Sequence, residues 1–176
     1  PRTALVLVSG YPYAVPDADA ALPALLWTAH GGQSAGTALA RALAGDVSPA
    51  GRLPQTWYAA DTDLPDLLDY DIIGSRQTYL YFDGSPLYAF GHGLGYSSFG
   101  YEDLTVERAA DTVRVALTVR NTGPRDADEV AQVYVRPPRG PVPRPGRQLV
   151  AYRRVTLAAG SATRLTWEVP LSDLAY

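Results

Sequence analysis

The sequence predicts a mixed α/β unit followed by an all-β sandwich. Three observations carry that reading. A continuously apolar run, Ala4-Leu5-Val6-Leu7-Val8, is followed after a glycine break by a stretch of strong helix formers, Ser34 to Ala44. Beyond Phe99 the pattern turns to alternation. Between the two, Asp61 to Gly95 holds no sustained period at all. Continuous apolar runs suit strands buried on both faces, whereas alternation suits half-buried antiparallel strands.

Thr3 to Gly10 is expected as a buried strand, closed by Gly10 and Pro12, with Leu22 to Thr28 as a second. Gly31-Gly32 breaks the chain, and Ser34 to Ala44 is expected as a helix with Leu39 and Leu43 on one face. Gly45 is the expected residue just past its end. Arg52 to Trp57 is expected as a further extended segment, which completes an α/β pattern. Asp61 to Gly95, rich in Asp, Tyr, Gly and Pro, reads as a long ordered loop whose tyrosines pack against something or line a site.

In the second part Val113, Val115, Leu117 and Val119 fall on one face of a strand and Arg114, Ala116, Thr118 and Arg120 on the other. Asn121-Thr122-Gly123-Pro124 is turn chemistry. Glu129 to Arg136, Leu149 to Leu157 and Ala162 to Val169 supply further strands, the last with Leu165, Trp167 and Val169 on one face. Short strands separated by turns predict an immunoglobulin-like or fibronectin-type sandwich, with about five strands where such a fold uses about seven.

Composition narrows the function classes. All 15 basic residues are Arg, net charge is −3, and there is no Cys or Met. Arg-only basic chemistry with abundant Ala, Gly and Pro suggests a GC-rich bacterial coding sequence. The one cluster of arginines, Arg136, Arg139, Arg144 and Arg147, lies in a proline-rich stretch that reads as a solvated loop, so no nucleic-acid partner is expected. The first apolar run is far shorter than the ~20 residues a bilayer requires, and no membrane partner is expected. It also lacks the flanks of a signal peptide, and compartment stays open. A start at Pro1, directly before a core strand, reads as the cut end of a longer protein; the short strand count suggests a cut at Tyr176 as well.

Two motifs invite chemistry. Gly32-Gln33-Ser34-Ala35-Gly36 fits the G-x-S-x-G nucleophile elbow between a strand and a helix, with His92 as a base oriented by Asp69 or Asp71. Against a serine esterase stands the position of the glycines beside the elbow, where an oxyanion hole draws on a separate loop. The preferred account is structural: Gly32 makes a turn, Gly36 allows close packing, and Ser34 begins the helix. The acidic run Asp61, Asp63, Asp66, Asp69 and Asp71 does not match a calcium loop and reads as turn-forming and solvated, so no metal and no cofactor are expected. Spacing alone identifies no pair of catalytic carboxylates.

The stretches Gly31 to Ala40 and Gly45 to Trp57 closely resemble the C-terminal part of glycoside hydrolase family 3. Tyr79-Leu80-Tyr81-Phe82-Asp83 and Pro86 to Phe99, with Phe90-Gly91-His92-Gly93-Leu94-Gly95-Tyr96-Ser97, resemble the signature preceding that family's fibronectin-like domain. Val119-Arg120-Asn121-Thr122-Gly123 and Glu129 to Val135 resemble that domain's opening strands. The matches run in order along nearly the whole chain. Three positions depart from the family: it usually carries an acidic residue near Ser34, Arg in place of Leu80, where Arg76 could substitute, and Ser in place of Gly95.

The resemblance implies residues 1–98 as the distal part of an α/β sandwich domain and 99–176 as a truncated fibronectin type III-like domain. It implies a retaining exo-acting β-glycosidase, a β-xylosidase or β-glucosidase, acting on an oligosaccharide or aryl glycoside. Run Asp69 to Tyr79 resembles the β-xylosidase branch more. The nucleophilic Asp, in an N-terminal barrel, and the acid/base Glu would both precede Pro1, so no catalytic residue is expected in this chain. Asp69, Tyr70 and Arg76 are the candidate sugar contacts, with packing against the barrel as the competing role of their loop. A non-catalytic carbohydrate- or protein-binding module is the alternative function, and the Ser34 esterase the second.

Overall fold

A computed structural model describes residues 3–138 and 140–175. The chain divides into two compact units that interleave along the sequence: Pro1–Arg41, Arg52–His92 and Pro138–Gly146 form one, and Ala42–Gly51, Gly93–Pro137 and Arg147–Tyr176 the other.

In the first unit β1 (Ala4–Val8) and β2 (Ala24–Thr28) pair in parallel, in register from Ala4 with Ala24 to Val8 with Thr28. A parallel pair needs a crossover, and here it includes α1 (Pro16–Ala21), which sequence periodicity did not reveal. Six residues are too few to show a helical period. The signals that form it are local: Pro16 opens the first turn, and Asp17 and Asp19 place negative charge at its N-terminal end. The helix also shortens the second expected strand, because Leu22 caps it through its N–H to the Ala18 carbonyl.

A 3-10 turn, Gly32–Ser34, leads into α2 (Ala35–Ala44), and Gly45 follows with φ +81, as its position past a helix end requires. Leu39 is half-buried but Leu43 is exposed, so the expected two-leucine face is only partly used. Gly32 sits at φ +68, in agreement with its turn role. The close-packing role expected for Gly36 is not observed: a methyl group there would meet open space.

Arg52 to Trp57 is not a strand of a sheet. It meets the Tyr88–His92 segment through Leu53 N–H to the His92 carbonyl, Gly91 N–H to the Leu53 carbonyl, and reciprocal bonds between Trp57 and Tyr88. These fix the long loop at both ends. Trp57, 2% exposed, stands edge-on to Trp27 and Tyr88 at 6.1 and 6.2 Å and centres this unit's core.

The second unit is a β-sandwich of two sheets. β3 (Phe99–Arg108), β4 (Thr112–Asn121) and β7 (Ala162–Pro170) form one sheet with β4 in the middle; β5 (Ala127–Val135) and β6 (Gln148–Leu157) pair in the other. All pairs are antiparallel. The core contains Val115, Leu117 and Val119 of β4, Ala131 of β5, Leu157 of β6, and Leu165 and Trp167 of β7, so the inward faces read from alternation are the observed ones. Among the described residues there are five strands in this unit, against the count of about five, and the first of them, β3, is not one of the four that the sequence pattern located.

Candidate functional site

The loop carrying Asp69, Tyr70 and Arg76 is built by its own side chains. Asp66 Oδ1 accepts the Leu68 N–H at 2.8 Å, Asp69 Oδ1 the Asp71 N–H at 2.9 Å, and Asp71 Oδ1 the Gly74 N–H at 2.9 Å. Each is an aspartate satisfying backbone two or three residues on, which is why the loop needs no helix or sheet to be ordered. Gln77 Nε2 donates to the Asp69 carbonyl at 3.0 Å and to Ser75 Oγ at 2.7 Å, closing the loop on itself. The acidic run is thus turn-forming, and among the described residues no group of three or more His, Asp or Glu is placed to hold a metal ion.

Asp69 and Tyr70 are adjacent at the exposed crest, Tyr70 with 83% of its surface free. Asp69 uses one carboxylate oxygen on the Asp71 amide, and a carboxylate offers about four acceptor positions. Arg76 lies on the return limb, at φ +54, and its guanidinium pairs with Asp83 at 2.5 Å. Thr78 follows at φ +60, an unusual conformation for a β-branched residue. Arg76 therefore faces the Tyr79–Asp83 segment.

The tyrosines around this loop pack. Tyr79 stacks on Phe90 with centroids 3.9 Å apart, Tyr58 stands edge-on to Phe82 at 4.8 Å, and the Tyr58 hydroxyl accepts the Thr78 N–H at 3.2 Å. Tyr88 stacks on His92 at 5.3 Å and donates its hydroxyl to Asp19 of α1. Burial first, and then the Asp19 carboxylate, push the Tyr88 phenol up to about 12. This Tyr88–Asp19 link was missed from sequence, because α1 was.

The esterase constellation does not assemble. Among the described residues no hydrogen bond joins Ser34, His92 and either Asp69 or Asp71; the imidazole lies against Tyr88, and both aspartates serve their own turns. In the arginine-bearing stretch, Arg147 lies over the Tyr134 ring at 5.6 Å, while Arg139 is outside the described residues.

The family model for the glycosyl hydrolase family 3 C-terminal domain matches residues 1–96, and that for a fibronectin type III-like domain matches residues 129–176. The chain is 38% identical to a protein described as probable beta-glucosidase J of Aspergillus fumigatus, over 97% of this chain and 22% of that protein. It is 36% identical to a beta-glucosidase of Rhizobium radiobacter, over 100% of this chain and 24% of the relative. With a beta-xylosidase of Formosa agariphila it shares 34% identity, over 97% and 24%. The chain thus spans only 22 to 24% of the length of these relatives. Beta-glucosidase 3B from Thermotoga neapolitana, solved in complex with glucose, superposes with a TM-score of 0.90 at 31% identity, covering 98% of this chain and 26% of that one.

Proposed function

The chain belongs to the glycosyl hydrolase family 3 C-terminal domain family, and on that premise we propose that it is the C-terminal portion of a retaining exo-acting β-glycosidase, a β-glucosidase or β-xylosidase. The carrying observation is continuous similarity, over 97% or more of this chain, to enzymes of both names, about four times its length. In the proposed enzyme two carboxyl groups act by double displacement, one as nucleophile and one as acid and then base, through a glycosyl-enzyme intermediate. Neither is assigned to this chain. Its substrate is a terminal β-linked sugar of an oligosaccharide or aryl glycoside, and its partner is an N-terminal barrel domain in the same polypeptide. Residues 1–98 act as the distal part of an α/β sandwich domain and 99–176 as the fibronectin type III-like domain.

Within that enzyme the loop of Asp69, Tyr70 and Arg76 forms part of the sugar pocket wall. Tyr70 offers an exposed aromatic face, Asp69 an acceptor for sugar hydroxyls, and Arg76, tied to Asp83, holds the return limb. Two measurements on the enzyme encoded by the complete reading frame test this. A 2-deoxy-2-fluoro glycoside should trap a covalent adduct on a peptide outside residues 1–176; an adduct within them contradicts the assignment. Asp69→Ala and Tyr70→Ala should each lower kcat/KM about tenfold or more, the scale of a lost polar or stacking contact. An unchanged kcat/KM removes the loop from the substrate site.

A further inference from the structure

From the carboxyl edge of the β1–β2 pair we infer a second carbohydrate contact, separate from the Asp69–Tyr70 loop, in which Tyr11 and Tyr13 stack against a neutral sugar. The inference takes its ligand class in part from the hydrolase reading above and adds a site to it.

The two strands run parallel with Val8 opposite Thr28, so the segments that follow, Ser9 to Val15 and Ala29 to Ser34, leave the sheet at the same edge. In open α/β sheets the carboxyl edge is where ligands bind. Tyr11 is 74% exposed and Tyr13 50%, so folding gains little from either ring. Yet the segment holding them is fixed. Ser9, 4% exposed, gives its N–H to the Thr28 carbonyl at 3.1 Å. Its hydroxyl accepts the Trp27 indole N–H at 3.0 Å and donates to the Tyr11 carbonyl at 2.6 Å. A buried hydroxyl braced by a tryptophan on β2 thereby sets the position of Tyr11. Pro12 restricts Tyr11 to extended conformations, and so carries that order on toward Tyr13. Two exposed aromatic rings on a preset backbone lose little entropy on binding, the condition for a stacking platform.

The chemistry of the edge selects the ligand. From Val8 to Val15 and from Thr28 to Ala35 there is no Asp, Glu, Arg or Lys, in a chain that has 33 of them. What the second segment supplies instead is His30, Gln33 and Ser34, all exposed, and the open backbone of Gly32. Aromatic faces beside hydroxyl, amide and imidazole groups, with no fixed charge, suit a neutral polyhydroxyl ligand. A phosphorylated ligand would call for cationic groups that this edge lacks.

The test is a titration of the 176-residue chain with cellotetraose and, separately, xylotetraose, followed through the tyrosine ring signals by NMR. At least one sugar should bind saturably, shifting signals that vanish in Tyr11→Ala and Tyr13→Ala. Each of these variants should weaken binding about threefold to tenfold. Tyr11→Phe, which keeps the ring, should bind like the parent, and Tyr152→Ala, which removes an exposed tyrosine on β6, should change nothing. Because Tyr11 and Tyr13 are exposed, neither alanine variant should lower Tm; if one fails to fold, the other and Tyr11→Phe still decide. Absence of saturable binding by either sugar overturns the inference, as does equal affinity in both alanine variants or an equal response to inorganic phosphate. The fluoro-glycoside test above is independent. A trapped adduct without sugar binding at the tyrosines removes only this site, and binding without hydrolysis in the complete enzyme removes only the hydrolase reading.

Discussion

Ser97 Oγ donates to Asn121 Oδ1 at 2.7 Å, joining the segment that enters β3 to the last residue of β4 through a side chain with no solvent exposure. The same oxygen accepts the Gly123 N–H at 3.1 Å, and Asn121 Nδ2 donates to the carbonyls of Arg125 at 2.7 Å and Leu157 at 3.0 Å. One amide thus ties the β4–β5 turn to β6 in the other sheet. Asn121→Ala leaves these buried groups unpaired and should cost about 3 kcal/mol. Asn121→Asp turns the donor into an acceptor facing two carbonyls, and should be more destabilising at pH 7 than at pH 4. Urea unfolding of the three proteins at both pH values checks both statements.

Gly123 is required by crowding. A methyl group at its Cα would lie 2.2 Å from Ser97 Oγ and 2.6 Å from the Ser98 nitrogen. The Gly123 N–H is also bonded to the Ser98 carbonyl at 3.2 Å, so the turn cannot simply move away. Gly123→Ala should cost about 2 kcal/mol or more. Gly36→Ala, with open space around it in α2, should be neutral or slightly stabilising. Thermal unfolding of the pair compares them directly.

Acid sensitivity should map to Asp128. The Thr156 hydroxyl, donating at 2.6 Å, and then Arg154, whose Nε donates at 2.8 Å, hold the Asp128 carboxyl below its ordinary 3.8, against a partial opposing effect of burial. A carboxyl depressed in the folded state adds stability above its unfolded value. That contribution is lost as pH falls from about 4 through the folded value. Thr156→Val should therefore flatten the loss of stability below pH 4. A set of urea midpoints between pH 2.5 and 6 would show it; an unchanged slope contradicts the assignment.

Alkali should act through Tyr88. Its phenol is raised to about 12, so below pH 10 it is neutral in both states and its contribution is complete. Between about 10 and 12 the unfolded chain ionises while the folded one does not, and stability falls. Tyr88→Phe should remove that part of the alkaline loss, at the cost of the bond to Asp19 at neutral pH. Absorbance titration of tyrosine ionisation in parent and variant reads the shifted group directly.

How much was legible depended on whether the information was periodic. Val115, Leu117 and Val119, alternating with polar neighbours, gave β4 and its buried face, and Leu165 and Trp167 gave β7. β3 escaped because nearly all its residues are exposed, and because a bulge between Glu102 and Thr105, with Asp103 at φ +53, breaks the alternation. The segment from Arg52 to Trp57 bends at Pro54 and Gln55 and is not a strand; its partner, Tyr88 to His92, lies in a loop without pattern, and long-range pairing leaves no local trace. The candidate loop was found by composition, as a cluster of Asp and Tyr. Its self-bonded turns were foreseeable from the aspartates, whereas the Arg76–Asp83 pair depends on a backbone reversal that sequence does not announce. Tyr11 and Tyr13 stood out only once exposure was known.

The most direct test of the central claim is hydrolysis of p-nitrophenyl β-glucoside and β-xyloside by two purified proteins, the 176-residue chain and the polypeptide translated from its complete reading frame. Turnover of at least one substrate by the longer protein, and none by the chain alone, is the expected result. Turnover by the chain alone would place catalytic carboxylates inside it and overturn its reading as the non-catalytic portion of a longer glycosidase.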